Sequence, residues 1–140
     1  MDKSLKLTES VAIDSSAANV WHALTDPETI RKFMWGTHAT SDWQEGSPII
    51  FEGEWQGKPY REKGVILEHA PERKLRYTYL SSGNEDKPEN YAIITYSLSQ
   101  DGPQTTLAVT QEGANNLEAL EHSKEGWRSM LGTLKKILEE

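Results

Sequence analysis

A strand period that gives way at once to two short helices is the feature of this chain that most restricts its fold. Leu5, Leu7, Val11 and Ile13 fall on odd positions with Lys6, Thr8, Ser10 and Ala12 between them, the two-residue period of a half-buried strand. Ser15 and Ser16 then offer N-cap oxygens, and Ala17, Val20, Trp21 and Leu24 recur at three- and four-residue spacing as a two-turn apolar stripe. Asp26 ends that helix and starts another: its carboxylate can cap free amides, Pro27 suits the first helical position, and Glu28 favours the helix dipole. Ile30, Phe33 and Met34 form the second stripe.

Beyond this hairpin the chain reads as strands. Thr37 to Trp43 is a weak one, and Gln44-Glu45-Gly46-Ser47 turns into Pro48 to Trp55. Gln56-Gly57 turns again into Lys58 to His69, and Ala70-Pro71-Glu72-Arg73 separates that run from Lys74 to Ser81, where Leu75, Tyr77 and Tyr79 alternate with Arg76 and Thr78. A polar loop, Ser82 to Glu89, precedes a last hairpin of Tyr91 to Ser99 and Thr105 to Glu112, joined through Gln100-Asp101-Gly102-Pro103 with its Asp-Gly turn signal. The period then changes. Leu117, Leu120, Trp127, Met130, Leu131, Leu134, Ile137 and Leu138 repeat at helical spacing to the C-terminus, with Asn115 or Asn116 as cap. Burying each such side chain contributes roughly 1.5 to 3 kcal/mol, so this stripe is expected to lie against the sheet. Strands closed by helices in this order indicate an α+β fold with a curved antiparallel sheet.

Composition narrows the function classes. At 140 residues without repeats or linker-like runs, the chain is expected to be a single domain, 1–140. Ile, Leu, Val and Phe make up only 27 residues, beside a net charge of -7, so five Trp and five Tyr must do much of the filling. Rings of that size can pack solidly or leave an amphipathic cavity. Cysteine is absent, which suits a reducing cytoplasm and removes thiolate ligands and nucleophiles. With no signal peptide and no apolar run near the roughly 18 residues of a membrane span, a cytoplasmic location and no membrane insertion are expected. The acidic balance disfavours nucleic acid as the main partner.

Several motifs, in order and spacing, resemble those of the START-like (SRPBCC, helix-grip) superfamily, and within it the family related to the C-terminal domain of the activator of heat shock protein 90 ATPase. They are Val20-Trp21-His22-Ala23-Leu24-Thr25-Asp26-Pro27-Glu28, the Trp43-Gln44-Glu45-Gly46 turn, Pro71-Glu72-Arg73-Lys74-Leu75, Thr106-Leu107-Ala108-Val109, and Gly126-Trp127 with Leu131, Leu134 and Lys135. The resemblance implies a helix-grip fold: a curved antiparallel sheet of about six to seven strands wrapped around a long C-terminal helix, with two short helices after the first strand. It also implies space for an apolar or amphipathic ligand between sheet and long helix. The residues expected around that space are Trp35, Trp43, Phe51, Trp55, Tyr60, Tyr77, Tyr79, Tyr96, Trp127 and Met130. Each could equally be ordinary core, but together they offer ring faces for flat apolar groups and hydroxyl and indole donors that need polar partners.

The chemistry-bearing residues form no recognisable catalytic set. His22, His38, His69 and His122 fall on different elements, and His38 with Asp42 is the nearest approach to a metal spacing, without a third ligand. No Gly-x-Ser-x-Gly elbow, phosphate-cradling loop or dinucleotide fingerprint occurs. Glu52, Glu54, Glu62 and Glu68 sit on strands where alternation turns carboxylates to water, and Glu112 beside Gln111 is the candidate buried acid. Gly126 and Gly132 interrupt the terminal helix at a cost of roughly 1 kcal/mol each, which either ligand space or close approach to the sheet would explain. Gly53 and Gly64 within strands suggest bending or a bulge.

The expected function is therefore non-catalytic binding of a small hydrophobic or aromatic molecule, with no cofactor and no metal. A chaperone-interaction module, as the family's relation to heat shock protein 90 implies, is one alternative, although this chain carries no separate N-terminal activator domain. A small-molecule enzyme (cyclase, dehydratase or hydrolase) on the same fold is the other.

Overall fold

The computed structural model describes residues 6–34, 36–80, 85–87, 90–113 and 117–139, without the side chains of residues 55, 117–120 and 122. Strand β1 (Lys6–Ile13) leads into α1 (Ala17–Thr25) and α2 (Pro27–Phe33). Six strands follow: β2 (His38–Thr40), β3 (Pro48–Trp55), β4 (Lys58–Ala70), β5 (Lys74–Tyr79), β6 (Ala92–Asp101) and β7 (Gln104–Glu112). The long helix α3 (Leu117–Glu139) comes last. The seven strands form one antiparallel sheet in the order β1-β7-β6-β5-β4-β3-β2.

The helix starts are set by the expected caps. Ser16 Oγ accepts from the Asn19 amide, and Asp26 accepts from both the amide and the hydroxyl of Thr29, with Pro27 at the first helical position of α2. Those bonds to Thr29 hold the Asp26 carboxyl below its ordinary range. Turn chemistry fixes two hairpins. Gln56 and Gly57 both take positive φ, as a two-residue turn between twisted strands requires. The last turn is centred one residue later than the Asp-Gly pair suggested: Asp101 still pairs with Gln104, and Gly102 supplies the positive φ. The strand expected over Thr37 to Trp43 is only three residues long, because Trp43 adopts φ +60° and leaves the extended region. Asn115, Asn116 and the Ser82–Asn84 part of the polar loop lie outside the described residues.

One face of the sheet carries the core. Leu7, Gln111, Ile94, Tyr77 and Ile66 align as a row across five strands, and Val109, Tyr96 and Leu75 form the next row. All of these except Gln111 are buried. Helix α1 presents Val20, Ala23 and Leu24 to the core and α2 presents Ile30 and Phe33. Helix α3 lies along β1, adding Trp127, Leu131 and Leu134. Arg128 reaches Glu9, Lys135 Nζ donates to the Ala12 carbonyl at 2.7 Å, and Glu139 accepts from the Asp14 amide at 2.9 Å. Lys135 and Glu139 also pair with each other at 2.6 Å, which keeps the Glu139 carboxyl below its ordinary range.

A bulge in β4 between Ile66 and Glu68 changes the phase of that strand. Ile66 points inward, Leu67 is left 41% exposed on the outer face, and His69 packs its ring on Trp21 with centroids 5.3 Å apart. Gly64 sits beside this irregularity, where a Cβ would run into the Thr78 carbonyl oxygen. Gly132 differs, since it is exposed and a Cβ there meets nothing within 4 Å, so close approach does not explain it. The two glycines are expected to respond with opposite signs. Gly132→Ala should stabilise by up to about 1 kcal/mol through helix propensity, whereas Gly64→Ala should destabilise by about 1 to 3 kcal/mol through overpacking. Chemical denaturation of both variants measures the pair, and a stable Gly64→Ala protein would mean that β4 and β5 do not approach as described.

Candidate functional site

The curvature that brings β3 to β5 around toward α3 leaves a space between them. It is a cavity of about 770 Å³, partly open to solvent, within the roughly 300 to 1,000 Å³ of small-molecule sites. Its apolar wall is Phe51 from β3, Tyr77 and Tyr79 from β5, Ile94 from β6, Met34 after α2, and Trp127 and Met130 from α3. The rings support one another. Phe51 lies 5.9 Å from Tyr77 and edge-on to Tyr79 at 6.0 Å, and Tyr77 continues to Tyr96 at 6.3 Å and Tyr96 to Trp127 at 5.9 Å. These separations fall in the range of favourable tilted and edge-to-face contacts.

Three polar groupings interrupt that wall. Tyr60 OH and Thr37 Oγ1 share a hydrogen bond of 2.5 Å, and Thr37 also donates to the Met34 carbonyl. Tyr79 OH donates to Glu62 Oε1 at 2.5 Å. Trp127 Nε1 donates to Gln111 Oε1 at 2.7 Å while Gln111 Nε2 reaches Ser123 Oγ at 3.3 Å. All of these side chains line the cavity. Burial, and next the adjoining Tyr96, raise the Tyr77 phenol well above its ordinary range; burial likewise raises Tyr96. Both are neutral donors at any physiological pH. The Tyr96 hydroxyl is buried and, among the described residues, finds no partner of hydrogen-bonding geometry.

Of the aromatic residues expected around this space, the structure brings together Phe51, Tyr60, Tyr77, Tyr79 and Trp127, with Met130 beside them. Tyr96 is not on the wall, because Tyr77 and Trp127 stand between its ring and the space. Trp43 is not there either. Its positive φ and the bond from its amide to Ser41 Oγ place it in the β2–β3 connection, half-buried against the core. Trp35 and the side chain of Trp55 lie outside the described residues.

Glu62 corrects the expectation that the strand carboxylates face water. It pairs in register with Phe51 and shares the inner face with Tyr60, Gly64 and Ile66, so it enters the cavity while Arg61 and Lys63 point away. Glu112 takes the outward parity, and its neighbour Gln111 is the inward polar residue. Gly53 is explained by this arrangement too: a Cβ there would strike the Tyr60 ring, which crosses over it toward Thr37. Gly126 lines the cavity, and a Cβ on it would meet nothing within 4 Å. Among the described residues no three His, Asp or Glu side chains gather as a metal site.

A family model described as Activator of Hsp90 ATPase homolog 1-like protein matches residues 14–139. No curated protein sequence matches the chain at a significant level. Among solved structures, the solution structure of ChR145 from Cytophaga hutchinsonii is 38% identical with a TM-score of 0.85, covering 99% of this chain and 97% of that one. The crystal structure of MLL2253 from Mesorhizobium loti is 20% identical, TM-score 0.81, over 96% of both chains. The Aha1 dimer from Colwellia psychrerythraea is 18% identical, TM-score 0.77, again over 96% of both. The last two show likeness of fold alone.

The polar lining yields a paired test of this geometry. Gln111→Leu removes the acceptor of the Trp127 indole and should destabilise by about 1 to 3 kcal/mol, the usual effect of stranding a donor. Tyr96→Phe, which removes a hydroxyl without a partner, should be neutral or stabilising. Thermal and urea melts of the two variants would contradict the arrangement if their order were reversed.

Proposed function

The chain belongs to the family of activator of heat shock protein 90 ATPase homologue 1-like proteins, and we propose that it binds a small hydrophobic or aromatic molecule in the cavity beneath α3. Hydrophobic ligands are common in this fold family. The observation that carries the reading is the cavity of about 770 Å³, walled by stacked aromatic rings in an otherwise close-packed core. A flat apolar ligand there would bury its faces on Phe51, Tyr77 and Trp127, and a single polar substituent would meet one of the three hydrogen-bonding groupings. Binding rather than turnover is the activity proposed. The polar groups are spread around the wall and bonded to one another, with no nucleophile held against a base.

The family membership supports a second reading, contact with heat shock protein 90. It is tested by co-precipitation with the purified chaperone. The two readings do not exclude each other.

Titration with neutral naphthalene derivatives should quench or shift tryptophan fluorescence saturably and raise Tm. A ligand at one hundred times its Kd stabilises the folded state by about 2.7 kcal/mol. Gly126→Leu, whose side chain would grow into open space, should weaken binding about tenfold or more while leaving the unliganded Tm within a few degrees, because the new methyls displace ligand and not core. An apolar library without a saturable signal would refute the binding reading, and so would a Gly126→Leu protein that binds like the wild type.

A further inference from the structure

The charge of the cavity carries a statement about its ligand that rests on the binding reading above. Every charged side chain among the described lining residues is an acid: Glu62 within the wall and Glu125 at the exposed end near α3. The lining contains no described lysine, arginine or histidine. Arg61 and Lys63 flank Glu62 in sequence, but strand alternation sends both to the outer face, where Arg61 pairs with Glu52 at 3.8 Å and Lys63 with Asp86 at 2.5 Å. Glu62 accepts a hydrogen bond from Tyr79, and that donor is a neutral hydroxyl, so the bond orients the carboxylate without cancelling its charge. Around it stand the rings of Phe51, Tyr60 and Tyr79, whose faces are themselves regions of negative potential.

We infer that the cavity selects a protonated amine carried on a flat apolar body and discriminates against carboxylates, fatty acids among them. Three effects act in the same direction. The ammonium gains from the Glu62 carboxylate, it gains again from the aromatic faces, and a carboxylate placed in the same position is repelled in surroundings where the attenuation of bulk water is reduced. The cost of holding Glu62 in this wall is met when the protein folds, so the ligand bears only its own desolvation. An apolar cavity without Glu62 would favour the neutral compound, since burying an unpaired ammonium is costly. The preference for a cation therefore belongs to this one side chain.

The test uses three probes with one ring system: 2-naphthylmethylamine, 2-naphthylmethanol and 2-naphthoate, titrated at neutral pH against the full chain. The amine should bind on the order of tenfold more tightly than the alcohol, and the naphthoate more weakly than either. Glu62→Gln keeps the shape and an acceptor for Tyr79; it should bring the amine down to the affinity of the alcohol or below while leaving the alcohol unchanged. Glu125→Gln, on the exposed end, should leave the preference within about twofold, as expected of a solvated charge. If the alcohol binds and the amine binds no better, the inference falls and the cavity reading survives. If none of the three binds, both fall. A preference that persists in folded Glu62→Gln protein, or is lost in Glu125→Gln, overturns the assignment to Glu62, and the wild-type comparison stands even if Glu62→Gln does not fold.

Discussion

Helix α3 is fixed along the edge strand β1, and the position of the cavity follows from that attachment. Arg128 on Glu9, Lys135 on the Ala12 carbonyl and Glu139 on the Asp14 amide advance together along helix and strand. Leu131 and Leu134 supply the apolar contact beneath them. With the helix committed to β1, the opposite part of the sheet must be covered in another way. Helices α1 and α2 fill the region near Ile13, Ile30 and Ile49 with aliphatic and Phe side chains. The inner faces of β3 to β5 curve toward α3 without reaching it, and only rings long enough to project into that gap line it. A chain poor in aliphatic residues and rich in Trp and Tyr builds such a wall, because large rings bridge distances that Val or Leu cannot.

Cavity polarity has the same origin. Row by row, the inner face passes from aliphatic residues near α1 to Tyr77, Tyr79, Gln111 and Glu62 toward the opening. Each polar atom among these is tied to a neighbour: Gln111 to Trp127, Glu62 to Tyr79, Thr37 to Tyr60. Such pairings hold donors and acceptors in place at a site that solvent can enter, and a bonded side chain loses little freedom when a ligand arrives.

Much of this was legible from residue order. Strand alternation in β1, β5 and the β6–β7 hairpin, the Ser16 and Asp26 caps and the period of α3 are local properties, and local chemistry decided them. The aromatic members of the wall follow from the same alternation. Phase was the obstacle elsewhere. In β4, Val65 and Leu67 on one parity compete with Ile66 on the other, and the bulge after Ile66 resets the alternation, so the inward turn of Glu62 is decided by pairing with Phe51, a contact between strands. Continuing the odd parity of Thr105, Leu107 and Val109 would have pointed to Gln111 in place of Glu112. The positive φ of Trp43 and the difference between Gly126, facing open space, and Gly132, facing solvent, have no signature along the chain.

The central claim, that the space between α3 and β3–β5 receives a ligand, is tested most directly at the Trp127 indole. In an ¹H–¹⁵N spectrum titrated with 2-naphthylmethanol, the Trp127 Nε1–H and the Gly126 amide should shift saturably through ring currents, while the outer-face amides of Val65 and Leu67 stay in place. An indole resonance unmoved at saturation, or largest shifts at Val65 and Leu67, would contradict it.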